Sequence, residues 1–271
     1  MTLQHSTAPV LVTGASGYIA SWVIQKLLTQ GYTVHATVRD LNKSQSYTHL
    51  EQIADSSPGT LKLFEANLLK PGSFDAAMQG CEIVFHMASP FVVTNYKDAL
   101  KDIIEPAILG TQNVLNSVNK TESVQRVIVT SSIASTYGDA IDILQTEHTS
   151  FDESHWNTTS SEIHQPYPYS KVMAERKAWE MAEAQDRWDL VCINPALVFG
   201  QSLTPNTQSG SVEVLQQFAN GMTLLGVPPM WNGVVDVQDV AEAHIRAAFN
   251  PQAHGRYIVS SETLSLLEMG K

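Results

Sequence analysis

A chain of 271 residues, 43% of them hydrophobic and 16% charged, is long enough for one large α/β unit or two small domains. Its formal charge of −11, with no basic cluster, argues against nucleic acid and anionic membrane surfaces as partners. No stretch approaches the roughly 18 apolar residues that span a bilayer, and the opening MTLQHSTA lacks the features of a secretion signal. A cytoplasmic location is expected. Cys81 and Cys192 lie in apolar runs and read as core thiols, not as a disulfide framework.

Short β-branched runs alternate with longer segments of helical pattern. Val10–Thr13 reads as a buried strand, followed by a helix from about Gly17 to Gln30 that Gly31 stops. Strands are then expected at Tyr32–Val38, Leu61–Glu65, Ile83–His86, Val127–Thr130 and Leu190–Asn194, with helices near 43–54, 72–79, 98–119 and 167–186 between them. This alternation predicts a Rossmann-type doubly wound parallel sheet, its strands buried on both faces. Beyond Pro195 the pattern loosens; a strand at Val234–Val237, a helix at 238–249 and a strand at Arg256–Val259 follow. The expected division is a dinucleotide-binding domain over 1–200 and a small C-terminal substrate lobe over 201–271, interleaved with it. The final SSETLSLLEMGK begins like a helix capped by Ser261 or Thr263, and ends after barely two turns.

The turn Thr13-Gly14-Ala15-Ser16-Gly17-Tyr18-Ile19-Ala20 joins the first strand to the first helix. Glycines there let backbone approach a pyrophosphate, and the helix N-terminus offers N–H groups and a positive dipole end. At the end of the second strand Arg39, with Lys43 on the next turn, favours a 2′-phosphate and so NADP(H). Asp40 is the competing reading, as a ribose ligand or a helix cap.

Tyr167 and Lys171, four apart on a predicted helix, project from one face. An ammonium beside a phenol favours the phenolate, which suits the tyrosine to protonating a carbonyl oxygen near neutral pH. Ser131 and Ser132 end the strand Val127–Thr130, on the side where parallel sheets bind ligands; either could hold a substrate oxygen or simply satisfy backbone.

The stretches VLVTGASGYIASWVIQKLL, TVHATVRD, GCEIVFHMASP, GTQNVL, VIVTSSIAS, FDESHW, YPYSKVMAE, INPALVFG and VDVQDVAEAH run in order over almost the whole chain. Together they resemble the extended short-chain dehydrogenase/reductases. More narrowly they are similar to the dihydroflavonol reductase-like group, with cinnamoyl-CoA reductases and microbial ketone and aldehyde reductases. The resemblance implies Tyr167 as general acid, Lys171 on the nicotinamide ribose and Ser132, by its spacing to the tyrosine, on the carbonyl. It implies Gly14, Gly17, Tyr18 and Ile19 at the pyrophosphate, Arg39 at the 2′-phosphate, Ala88 and Ser89 on the ribose side, and Pro195 and Val198 near the nicotinamide. Asn67-Leu68 stands where Asp-Leu commonly holds the adenine amino group. Relatives continue for several dozen residues past the position of Lys271, so the small lobe is expected to be incomplete.

Phe91, Val92 and Val93 would wall the substrate pocket or join the core, and Trp231 would be a lid residue or the cover of a small core. His86 reads as packing, and Glu175, Arg176 and Lys177 as a solvated helix face. No histidine has metal-ligand spacing. The expected activity is NADPH-dependent reduction of a small-molecule ketone or aldehyde by a monomer or homodimer. The alternatives are a nucleotide-sugar epimerase or dehydratase using the same residues, and a non-catalytic dinucleotide-binding sensor.

Overall fold

A computed structural model of the chain describes residues 7–90, 96–147, 149–204 and 226–270, with 212, 216 and 220 as isolated positions. Seven strands form one parallel sheet: β1 (Val10–Val12), β2 (Thr33–Val38), β3 (Thr60–Glu65), β4 (Ile83–His86), β5 (Arg126–Thr130), β6 (Asp189–Pro195) and β9 (Gly255–Val259). Their order is β3-β2-β1-β4-β5-β6-β9, so the winding reverses between β1 and β4. At such a switch point the two flanking loops diverge and leave a crevice at the strands' carboxyl ends. The expected Rossmann-type sheet is present.

Successive side chains of each strand point to opposite faces, and the core divides accordingly. Val10, Val12, Ile83, Phe85, Ile128, Val191 and Ile193 pack on one face beneath α1 (Tyr18–Thr29) and the helix Val237–Phe249. Leu11, Val84, Val127, Val129, Leu190 and Cys192 pack on the other, with α3 (Asp75–Met78), α4 (Glu105–Lys120) and α5 (Pro166–Glu183). Helix α2 (Thr48–Asp55), which packs beside α1 on the first face, starts later than the predicted 43, because a 3-10 turn at Ser44–Ser46 precedes it. A π-turn over Leu100–Ile104 leads into α4. Pro106 has no N–H to complete the α-ladder there, so the spacing shifts.

A second sheet holds β7 (Leu197–Phe199), β8 (Trp231–Asp236) and β10 (Glu262–Ser265) in the order β10-β8-β7. β8 leads into α6 (Val237–Phe249), whose cap is Asp236, and β9 then returns to the main sheet beside β6. The expected C-terminal helix capped by Ser261 or Thr263 is absent. Those residues flank or enter β10, which runs antiparallel to β8, and the four-residue helix α7 (Leu266–Met269) starts one turn later in a capping box of Ser265 and Glu268. Strand pairing took the earlier Ser/Thr residues, and only Ser265 has its acid three residues on.

Candidate active site

Gly14 leaves β1 with φ +67, and a Cβ on it would stand 2.8 Å from the Cα of Ala88. Only glycine fits where these two backbones cross. The N–H of Ala15 donates to the Thr37 carbonyl at 2.9 Å and that of Gly17 to the Gly14 carbonyl at 2.9 Å. Gly17 then caps α1 without a side chain, and no acid occupies the first turn, so the helix's positive end is uncompensated. Ile19 packs against the core. The Tyr18 hydroxyl donates to the Gly200 carbonyl at 2.8 Å; burial and then Asp236 push its pKa up to about 12, so this phenol is a tether.

Arg39 is exposed at the end of β2 and takes part in no hydrogen bond or ion pair among the described residues. Asp40 instead closes an Asx turn, its Oδ1 accepting from the Asn42 N–H at 2.9 Å and from Asn42 Nδ2 at 3.2 Å. Lys43 is exposed beside it. Asn67 uses its amide oxygen on the Leu69 N–H at 2.9 Å, and the Leu68 carbonyl accepts from Asn113 Nδ2 at 2.7 Å, which ties that loop to α4.

The carboxyl end of β4 meets α5. Lys171 Nζ lies 5.4 Å from the ring centroid of Tyr167 and donates to Ser89 Oγ at 3.0 Å. Tyr167 and Lys171 are both half-buried. His86 is buried, and burial, then the Lys171 charge, lower its pKa to about 4. The Thr13 hydroxyl accepts the N–H groups of Met87 and Ala88 at 3.0 Å each, so its own proton goes to His86 Nδ1, 3.1 Å away. His86 is the packing residue expected. Ser132 caps the 3-10 turn Ile133–Ser135, which packs on α5, and its Oγ accepts from the Ala134 N–H at 3.2 Å. Pro195 and Val198, at the end of β6 and in β7, are buried. Residues that follow β1, β4, β5 and β6 thus lie along the carboxyl edge of the sheet, on the side where the winding reverses.

Other expectations fare differently. Ser131 is buried and donates its hydroxyl to Glu175 and not to the crevice. Trp231 is 63% exposed and covers no core; Phe91, Val92 and Val93 lie outside the described residues. Glu175, read as part of a solvated face, is fully buried and ion-paired with Arg256, its Oε1 2.6 Å from Nε. The polar residues Asn194 and Arg256 inside apolar strands were the available signal for that partner. No group of three metal-ligating side chains occurs among the described residues, and no helix among them is long and apolar enough to cross a membrane.

Residues 10–259 match the NAD dependent epimerase/dehydratase family. Cinnamoyl-CoA reductase CAD2 of Medicago truncatula is 43% identical over 92% of this chain and 74% of its own length. Dihydroflavonol 4-reductase of Gerbera hybrida is 34% identical over 99% of this chain and 72% of its own. Among solved structures, Gre2 of Candida albicans in complex with NADPH superposes with a TM-score of 0.83 at 29% identity, covering 97% of this chain and 80% of that one. The chain therefore belongs to the NAD dependent epimerase/dehydratase family, is an oxidoreductase, and groups within that family with the cinnamoyl-CoA and dihydroflavonol reductases.

Proposed function

We propose that the protein reduces a ketone or aldehyde to an alcohol with NADPH, through Ser132, Tyr167 and Lys171. The observation that carries this is Lys171, whose ammonium lies at once beside the Tyr167 ring and on Ser89 at the end of β4. The dinucleotide fits the surrounding residues: the Gly14–Ala88 crossing permits close backbone approach, and the uncapped start of α1 suits a pyrophosphate. Arg39 is available for a 2′-phosphate, while Asp40 is occupied by Asn42. The solved Gre2 complex with NADPH supports the same cofactor.

When bound, the nicotinamide supplies the hydride. Tyr167 gives its proton to the forming alkoxide, and the Lys171 ammonium stabilises the phenolate left behind. Ser132 accepts from the Ala134 N–H, which leaves its own proton to bond the carbonyl oxygen. Ala88, Ser89, Pro195 and Val198 would line the cofactor's ribose and nicotinamide side, and Asn67-Leu68 its adenine. Residues 201–271 are read as the smaller, substrate-facing lobe.

NADPH consumption over a panel of aromatic and aliphatic ketones and aldehydes tests this reading. Alcohol formation coupled to NADPH loss is expected. Tightly held NAD with activity only on nucleotide sugars, or cofactor binding without turnover of any carbonyl, would overturn it.

A further inference from the structure

One helical turn beyond Lys171, a buried polar cluster surrounds Glu175. The glutamate side chain is 0% exposed and its partner Arg256 7%. Its second oxygen, Oε2, accepts from Ser131 Oγ, from Ser135 Oγ at 2.5 Å and from Asn194 Nδ2 at 2.9 Å. Arg256 reaches further, to Ser135 Oγ at 3.1 Å and to the carbonyls of Glu153 at 2.9 Å and His155 at 2.5 Å, and it stacks 4.0 Å over Trp156. Helix α5, the exit of β5, strand β6 and edge strand β9 all converge on one carboxylate.

A buried ion pair is weak evidence for stability, because well-packed apolar groups would serve as well. It does demand geometry, since an interior carboxylate stays ionised only with its lone pairs met. Two groups that bond Glu175 also border the carbonyl of Ser132: Asn194 donates to it from Nδ2 at 3.2 Å, and the single proton of Ser135 Oγ is shared between Glu175 and that carbonyl, 2.8 Å away. On α5, Tyr167, Lys171 and Glu175 recur every fourth residue, within about 80° of arc.

We propose that Glu175, tied by Arg256, Ser135 and Asn194, is a positioning residue that sets the Ser132 hydroxyl against the Tyr167–Lys171 face. This rests on the reading of Ser132 as the group that holds the carbonyl.

The test is a kinetic cycle with NADPH and the best carbonyl substrate, using the unaltered chain, Glu175→Gln, Ser132→Ala and the double variant. Circular dichroism checks folding, and cofactor fluorescence checks NADPH binding. Glu175→Gln is expected to lower kcat on the order of tenfold or more, as small misplacements of reacting groups do, with NADPH affinity within about twofold of normal. In the Ser132→Ala background the same change should cost less than about twofold, because no hydroxyl remains to be misplaced. Normal turnover by folded Glu175→Gln, or an equal loss in both backgrounds, overturns the proposal. Should Glu175→Gln fail to fold, Ser135→Ala, which removes one neutral donor, runs through the same cycle with the same criteria. Full activity of Ser132→Ala removes the underlying reading of Ser132, whereas a slow Ser132→Ala beside a normal Glu175→Gln removes only the positioning role.

Discussion

His86 is buried near the Lys171 ammonium, and His244 projects from α6 into the core with Nδ1 2.7 Å from the Val240 carbonyl and Nε2 2.7 Å from Thr130 Oγ1. Burial in both, and for His86 then the Lys171 charge, lowers their folded pKa to about 4, against about 6.5 in an open chain. Between those values the unfolded chain binds protons that the fold refuses. Their stabilisation is therefore complete above about pH 6.5 and drains as the pH falls toward about 4. At about pH 5 the loss is RT ln[(1 + 10^1.5)/(1 + 10^−1)], about 2 kcal/mol per histidine and about 4 for the pair. With a slope of about 2–3 kcal/mol per molar, the urea midpoint should drop by about 1–2 M between about pH 8 and about pH 5. Circular dichroism during urea unfolding measures this, and His86→Gln and His244→Gln should each remove about half of the pH difference. Lys171→Met should shrink the His86 share, because a repelling charge has gone. A midpoint indifferent to pH, or a difference that survives both histidine replacements, would refute the reasoning.

Arg39→Ser should raise the KM for NADPH on the order of tenfold or more, through a lost charge-assisted contact, while the KM for NADH stays near its starting value; paired titrations compare the two. Gly14→Ala should destabilise the chain by about 1–2 kcal/mol for the left-handed backbone alone, with a further cost from the 2.8 Å approach to Ala88 Cα. Thermal unfolding and NADPH titration read both effects. Tyr18→Phe removes the tether to Gly200 and leaves that carbonyl short of a donor, so urea unfolding should show a loss of about 1–2 kcal/mol, with kcat on small carbonyls within about twofold of normal.

The doubly wound sheet was legible because its strands carry apolar residues on both faces, as at Val127-Ile128-Val129, and no amphipathic helix or half-exposed strand has that pattern. The glycine turn after β1 and the helix that carries Tyr167 and Lys171 were legible because their geometry is local, within a few residues of backbone. What was not legible depends on partners far along the chain. Glu175 stands in a charged run, Glu-Arg-Lys, that looks like a solvated face, and Arg256, which meets it, sits on an edge strand 81 positions away. Arg126 is a second case: buried on β5, it forks onto Asp189 of the adjoining strand at 2.8 and 2.6 Å and reaches the Ala247 and Asn250 carbonyls at the end of α6. Ser131 and Ser132 are neighbours with the same side chain, and their different uses emerge only when Glu175 approaches one of them. At the C-terminus several Ser/Thr residues compete as caps, and pairing with β8 decided among them.

Removal of the Tyr167 hydroxyl tests the reductase account most directly. Tyr167→Phe keeps the ring beside Lys171 and deletes only the proton donor, so single-turnover hydride transfer from pre-bound NADPH isolates that proton's contribution. The account predicts unchanged NADPH affinity and a transfer rate lower by about 10²–10⁴-fold. Transfer at the rate of the unaltered chain would contradict it.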